Sequence, residues 1–268
     1  MHTHSVYSDG TSSPADVARR AKGAGVDFVW LMDHDTVSGA ASFAEAAAGL
    51  GARAACGVEI NTRERDQVHI LGYGLRHQDP AFAARLARWR ARRVLRAREI
   101  VDRLRGLGLD VSWADVESQA KETVGRPHVA DALKRKGIVK SRSEAFERFL
   151  SSGKPGYVEP RGPSVQDAID IIREFGGFAV LAHPRTVSNC AARILEWMKM
   201  GLEGLEVFYA AHRNSETKRL VDVAETLGLV ATGGTDFHGP GSGRDAALGV
   251  QVPDEVYGAF LERLSRCC

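Results

Sequence analysis

Residues 28–36 read Phe-Val-Trp-Leu-Met-Asp-His-Asp-Thr: five apolar side chains in a row, then a histidine set between two aspartates. A short apolar run rich in aromatic and β-branched types, stopped by polar residues, is the pattern of a strand buried on both faces. Upstream, Pro14 to Gly25 reads as a helix, with Ala15, Val17, Ala18 and Ala21 at helical spacing. Ser13 is placed to cap it and Pro14 to be its first residue. Downstream, a second helix covers Ala40 to Leu50, and strands cover Ala52 to Ile60 and Val68 to Tyr73. Strand and helix in alternation predict parallel βαβ units with the helices outside.

From Leu75 to Pro160 the rhythm changes. Phe82 to Leu107 predicts one long helix, and shorter ones follow at Trp113–Ala120, Pro127–Lys136 and Ser143–Leu150. Ser141 and Glu144 have capping-box spacing at the start of the last. No strand interrupts this block, so residues 76–160 are expected to form a helical insertion between barrel segments 1–75 and 161–268. Alternation then resumes with a helix at Val165–Phe175 and strands at Phe178–Ala182 and Leu205–Tyr209. A helix at Glu216–Leu227, strands at Leu229–Thr232 and Leu248–Val252, and a helix at Asp254–Ser265 complete the chain. The expected fold class is α/β, a β/α barrel interrupted by a helical subdomain.

The chain has 268 residues, enough for one such domain with a sizeable core. A net charge of +2 excludes a global electrostatic pull on nucleic acid, so any basic site must be local. No stretch is apolar for long enough to span a bilayer. The opening MHTHSVYSDG lacks the basic and apolar regions of a signal peptide, so export is not expected and a cytoplasmic location is. Cys56, Cys190, Cys267 and Cys268 form no C-x-x-C pair and no disulfide framework. Cys267 and Cys268 read as a solvent-exposed tail, and nothing in the chain calls for an obligate protein partner.

Nine residues of metal-ligating type share a placement. His2 and His4 form an H-x-H pair, whose rings point to one face if the backbone is extended. Asp9 lies in the Ser8-Asp9-Gly10 turn, and His34 follows the first buried strand. Glu59 ends its strand and His69 lies in the next. His183 follows Val180-Leu181-Ala182, and Asp236 and His238 follow Leu229–Thr232 within Gly-Gly-Thr-Asp-Phe-His. Nearly all fall at the C-terminal ends of predicted strands, the rim where parallel barrels carry their active sites. Any one histidine after a strand is an ordinary surface or core residue. Six of the nine histidines on one rim, several beside carboxylates, point to bound divalent metal. Imidazole and carboxylate without thiolate suit Mn²⁺, Fe²⁺ or Zn²⁺.

The motifs H-T-H-S with S-D-G, D-H-D-T, G-V-E-I, V-H-I-L-G-Y, L-A-H-P and T-D-F-H resemble the PHP (polymerase and histidinol phosphatase) family over essentially the whole chain. Within it the chain looks most like the branch of nucleoside bisphosphate phosphatases and short-RNA exonucleases, whose helical insertion carries Gly-Arg-Pro-His, here residues 125–128. The resemblance implies a distorted (β/α)7 TIM-like barrel holding two or three divalent metal ions. It implies one ion on His2, His4, Glu59 and Asp236, and a second on Glu59, His69 and His183. Asp9, His34 and His238 would hold a third. In this chain Met1 directly precedes the H-x-H pair, where family members have several residues of strand.

Clustered divalent ions generate hydroxide near neutral pH and clamp phosphoryl oxygens during in-line attack, so phosphoester hydrolysis by metal-bridging hydroxide is expected. No Ser/His/Asp or Cys/His arrangement competes. His212, just after a barrel strand, is the candidate acid for the leaving group. Arg126 and His128 flank Pro127 at a predicted helix N-terminus, an anion site by dipole and by bidentate guanidinium. With Lys154 in a Gly-rich turn, they are the candidate substrate-binding residues. The expected substrate is a small phosphorylated nucleotide, best a nucleoside 3′,5′-bisphosphate giving the 5′-monophosphate and phosphate. Alternatives on the same site are 5′-to-3′ trimming of short RNA, and cyclic phosphodiester or histidinol phosphate hydrolysis. The arginines along the long helix, from Arg85 to Arg105, read first as a solvated face rather than an RNA track. A non-catalytic regulatory or nucleic-acid-binding module that keeps the metals as structure is disfavoured, because all nine positions hold competent ligands.

Overall fold

The computed structural model describes residues 2–65, 67–244 and 247–267. Helix α1 (Pro14–Gly23) begins as its sequence dictates, with the Ser13 side chain accepting from the Asp16 N–H. It packs with α2 (Ala40–Gly49) over β1 (Val29–Leu31), burying Val17, Ala18, Phe43 and Ala47. The expected Ala52–Ile60 strand is two strands, β2 (Ala54–Cys56) and β3 (Val58–Asn61), broken at Gly57. A Cβ at Gly57 would stand 2.2 Å from the Gly72 carbonyl oxygen and 2.7 Å from Met32 Sδ. The break is therefore where two sheets change hands: β2 pairs in parallel with β1, and β3 pairs with β4 (His69–Tyr73).

The larger sheet has the order β3-β4-β5-β6-β7, with β5 Phe178–Leu181, β6 Leu202–Tyr209 and β7 Val230–Gly234. The parallel expectation holds for β5, β6 and β7 but not for β4, which is antiparallel to both its neighbours. Only the short segment between Asn61 and His69 joins β3 to β4. A parallel return needs a crossover of a dozen or more residues, so the chain can only turn back on itself. Neither sheet closes. They meet through single-residue bridges, with Thr3 pairing with both Leu31 and Phe237, and His34 with Glu59. The N-terminal segment thus lies between β1 and the chain leaving β7.

Two further expectations fail. Leu248–Val252 forms no strand, because Gly249 has φ +97° and breaks any extended run. A helix α8 (Cys190–Met200) stands where none was expected. It starts at Asn189 with no side-chain cap, so its one sequence signal is the stop at Gly201 in the left-handed conformation. Cys267 is half-buried against the cluster around Phe178 and Phe260 rather than exposed, and Cys268 lies outside the described residues.

Helix α3 (Pro80–Gly106) straddles two cores. Phe82, Leu86 and Trp89 pack against the large sheet with α7 (Val165–Glu174), while Ala97, Ile100, Val101 and Leu104 belong to a separate cluster. That cluster joins them to α4 (Trp113–Glu117), α5 (Arg126–Arg135) and α6 (Arg142–Ala145), the last continued by a π-helical turn, Phe146–Leu150. Ser141 caps α6 through the Glu144 N–H, but the Glu144 carboxylate accepts from Lys140, so the box is half made. Helix α9 (Asn214–Leu227) covers β6, and α10 (Asp254–Leu264) contributes Phe260 edge-on to Trp30 and Tyr73, at centroid distances of 6.1 and 5.2 Å.

Alternation along the strands converts this floor into a site. Tyr73, Leu71 and His69 share one face of β4, as Trp30, Met32 and His34 do along β1 and beyond. Glu59 stands directly opposite Leu71. β1 thus leads from Trp30 and Met32 on to His34, whereas antiparallel β4 starts at His69 and runs back to Leu71 and Tyr73. Both put a side chain of metal-ligating type at the same end of the fold. Gly57→Ala should cost about 1–3 kcal/mol by overpacking the sheet junction. Gly49→Ala, with nothing within 4 Å, should be neutral or stabilising. Urea denaturation of both measures this, and a neutral Gly57→Ala would contradict the assignment of the junction.

Candidate metal centre

The nine expected ligands converge in one buried cluster. Glu59 is at its centre: Oε1 lies 2.8 Å from His69 Nδ1 and 3.0 Å from His183 Nε2. Oε2 lies 3.1 Å from His2 Nε2, 3.0 Å from His4 Nε2 and 3.1 Å from His34 Nδ1. Asp236 Oδ1 is 3.1 Å from His4 Nε2 and 3.5 Å from His2 Nε2, and Asp9 Oδ1 is 3.1 Å from His238 Nε2 and 3.8 Å from His34 Nε2. Three sets place one ligand atom from each member within 4.8 Å of the others: His2, His4, Glu59 and Asp236; His4, Asp9, His34 and His238; and His34, Glu59 and His69. His183 joins the last through contacts of 3.0 and 3.1 Å to Glu59 and His69.

The donor set fits metal ions on three grounds. Ligand atoms about 2.0–2.2 Å from one ion sit about 3.0–3.5 Å from each other, which is the spacing seen. Asp9 Oδ1, Asp236 Oδ1 and His238 Nε2 are buried and meet no group at good hydrogen-bond geometry, although each has another ligand atom of the cluster 3.1 Å away. Such orphaned groups are costly without a partner. Nitrogen also faces nitrogen, His2 Nε2 to His4 Nε2 at 3.0 Å, as two ligands of one cation do.

Electrostatics agree. Burial alone would keep His4 neutral, but hydrogen bonds to Asp236 and Glu59 outweigh it and carry the imidazole up to about 9. His2 is raised too, against burial, by Glu206, Glu59 and Asp236. Glu59, Asp9 and Asp236 are held well below the usual carboxylate range despite their burial, the first two by surrounding imidazoles and Asp236 by Arg244 first and then by imidazoles. Burial pushes His34 well down and His69 down to about 4, so both are neutral and ready to coordinate. Without cations, protons on His2 and His4 balance the buried carboxylates. Local backbone reflects the crowding: Asp35, His183 and Asp236 all have positive φ, a strained conformation that clusters at functional sites.

The other expected residues are placed differently. Arg126 lines a cleft of about 340 Å³ that opens from Asp9, His34, His69 and His238. His128 is turned inward instead, its Nδ1 accepting from the Gly125 N–H at 3.0 Å, so it caps α5. Lys154 is exposed and does not line the cleft. His212 lines grooves beside α9, with Nδ1 against the Val207 carbonyl, and Tyr209 takes the place beside the cluster, donating to Asp236 Oδ2 at 3.0 Å. Sequence reading missed Tyr209, Arg244 (2.6 Å to Asp236 Oδ2) and Glu206, which touches His2. Glu206 had a signal, a lone carboxylate in the apolar run Leu-Glu-Val-Phe-Tyr; Tyr209 and Arg244 had none. Arg93 and Arg96, read as part of a solvated face, line the cleft.

The PHP domain model matches residues 1–153, more than half the chain. The chain belongs to the PHP domain family. It is 36% identical over 267 residues to a 3′,5′-nucleoside bisphosphate phosphatase of Chromobacterium violaceum, covering 94% of this chain and 92% of that protein. It is 31% identical over 261 residues to a 5′-3′ exoribonuclease of Haemophilus influenzae, covering 96% and 95%. A solved structure described as a metal-dependent phosphoesterase, from Bifidobacterium adolescentis, superposes with a TM-score of 0.88 at 31% identity, covering 100% of this chain and 95% of that one. This PHP domain is a metal-dependent phosphoesterase.

Because ions coordinate only deprotonated imidazole, metal uptake near neutral pH should release at least one proton per molecule, chiefly from His4 and His2. Calorimetric titration of the metal-free protein with Zn²⁺ in buffers of different ionisation enthalpy measures this. A heat independent of the buffer would refute it.

Proposed function

We propose that this PHP domain removes one phosphate from a small nucleotide bearing two, best a nucleoside 3′,5′-bisphosphate. One observation carries the reading: a single cleft is lined both by members of the metal cluster, Asp9, His34, His69 and His238, and by arginines that include Arg93, Arg96 and Arg126. Arg96 is anchored by two bonds to the Val158 carbonyl, at 2.9 and 2.7 Å, and Arg126 by one to the Leu150 carbonyl at 3.3 Å. Carbonyl anchors fix direction without cancelling charge. Burial, with Arg126 and Arg93 nearby, draws the Arg96 guanidinium down to about 9. A phosphate bound between them would relieve that repulsion and accept bidentate hydrogen bonds. The name of one relative, a 3′,5′-nucleoside bisphosphate phosphatase, supports this reading.

In this reading His2, His4, Asp9, His34, Glu59, His69, His183, Asp236 and His238 would hold two or three ions of Mn²⁺, Fe²⁺ or Zn²⁺. Bound ions activate water at neutral pH and neutralise charge on the phosphoryl oxygens. The chain's own groups set the geometry. Arg244 and Tyr209 both donate to Asp236 Oδ2, leaving Oδ1 turned to the cluster. Arg142, paired to Asp131 at 2.7 and 2.6 Å, donates to the Asp9 carbonyl at 3.1 Å and holds that loop against the insertion. Arg93, Arg96 and Arg126 grip the phosphate that is retained and so decide which one reaches the metals. The sheets, linked through Thr3, then form a distorted barrel with residues 76–160 as its inserted helical subdomain. Cys56 and Cys190, which form no disulfide, suit a reducing, cytoplasmic setting.

A second reading, 5′-to-3′ trimming of short RNA, is favoured by the identity to an exoribonuclease and by the basic lining that continues from Arg96 and Arg126 to Arg161. Mn²⁺-loaded protein should release phosphate from adenosine 3′,5′-bisphosphate. Arg126→Ala should lower kcat/KM on it about 30-fold, roughly 2 kcal/mol, with a smaller effect on a simple aryl phosphate. Failure to hydrolyse the bisphosphate alongside fast, stepwise shortening of RNA oligomers would select the second reading.

A further inference from the structure

Glu206 is fully buried in β6, and the expected ligand sets leave it unused. An ionised carboxylate at such a place is costly unless its lone pairs are taken. Both oxygens are taken. Oε1 lies 2.9 Å from His2 Nδ1, and Oε2 accepts from the backbone N–H of His183 at 2.7 Å. Glu206 is not itself placed as a ligand, because the His2 ring stands between it and the cluster. The opposite edge of that ring, Nε2, meets His4, Glu59 and Asp236 at 3.0, 3.1 and 3.5 Å.

The neighbourhood is shaped for this contact. A Cβ on Gly234 would stand 2.4 Å from His2 Cβ and 2.8 Å from Glu206 Oε1, so only glycine leaves room for the pair. His183 has φ +28°, a backbone conformation that needs support, and its N–H is the one that Glu206 accepts. A carboxylate is acceptor-only when ionised, so it alone can serve two donors this way. His2 is then obliged to carry its proton on Nδ1 and present the Nε2 lone pair inward.

We propose that Glu206 is a positioning residue of the metal centre: it fixes His2 as the Nδ1–H tautomer with Nε2 free to coordinate, and anchors the backbone that carries His183. A single side chain thereby aligns two imidazoles 181 residues apart in sequence. The inference rests on the metal-centre reading and is independent of which phosphoester is cleaved.

Glu206→Gln is the discriminating change, since the carboxamide keeps the shape but must turn its NH₂ towards one of the two donors. The expected result is a 10–100-fold weaker affinity for the ion held by His2, read as Zn²⁺ retained on dialysis and by competition with a chelator. Catalytic loss should recover at high metal concentration, which a merely structural defect would not do. In the zinc-loaded wild-type protein, long-range ¹H–¹⁵N spectra should show His2 protonated at Nδ1. That measurement needs no variant, so it stands even if Glu206→Gln does not fold. His2 protonated at Nε2, or a folded Glu206→Gln protein with wild-type zinc affinity, would overturn the proposal. A wild-type protein that takes up no zinc would overturn the metal-centre reading and this inference with it.

Discussion

Glu59 is a carboxylate with no solvent exposure and five imidazoles within about 3 Å of its two oxygens. A lone buried charge of this kind would cost several kcal/mol, so it dictates what surrounds it. Protons or divalent ions must supply the opposite charge, and the imidazoles must be held where either can sit. The N-terminal segment, the chain after β1, strands β3 and β4, and the loops after β5 and β7 all deliver a side chain to that one point. Trp30, Met32, Leu71 and Tyr73 lie one layer below, so the same strand alternation that makes the site also makes its floor.

Helices α3 to α6 are tied into this centre more closely than their separate hydrophobic cluster implies. Thr123 donates through its hydroxyl to the His34 carbonyl at 2.8 Å and through its backbone N–H to the Tyr7 carbonyl at 3.0 Å. Arg90 donates to the Asp35 carbonyl at 2.8 Å, and Arg93 pairs with the Asp35 carboxylate at 3.0 Å. With Arg142 on the Asp9 carbonyl, two loops that carry candidate metal ligands, Tyr7–Asp9 and His34–Asp35, are held by side chains from residues 90–142. Those same helices present Arg96 and Arg126 to the cleft. In the proposed function, binding of a retained phosphate would thus be coupled to the geometry of the metal centre through α3 and α5.

Much of the fold was legible because it rests on local signals. Ser13 with Pro14 opens α1 and the β1 run is bounded by polar residues, whereas α8, which starts at Asn189 without a side-chain cap, went unread. The candidate ligands were legible for a different reason: histidine and acidic residues at strand ends are rare enough to stand out together. The misses share a cause. His128 looked like a phosphate ligand, but its ring finds the Gly125 N–H three residues back. His212 looked like a rim residue, but Tyr209 occupies the position facing Asp236. Arg93 and Arg96 looked solvated, because a helical wheel cannot show that a loop from residues 157–161 folds over one side of α3.

The sequence by itself determined the types of donor, their order along the strands and the class of chemistry, since these depend on residue identity and on spacing of two or 3.6. Tertiary structure alone decided that the sheets meet at Gly57 and that arginines from distant helices share one cleft. It also decided that Glu206, 204 residues from His2, orients its ring. Such pairings answer to burial and to the need to satisfy every buried charge, and those constraints exist only once distant segments are packed together.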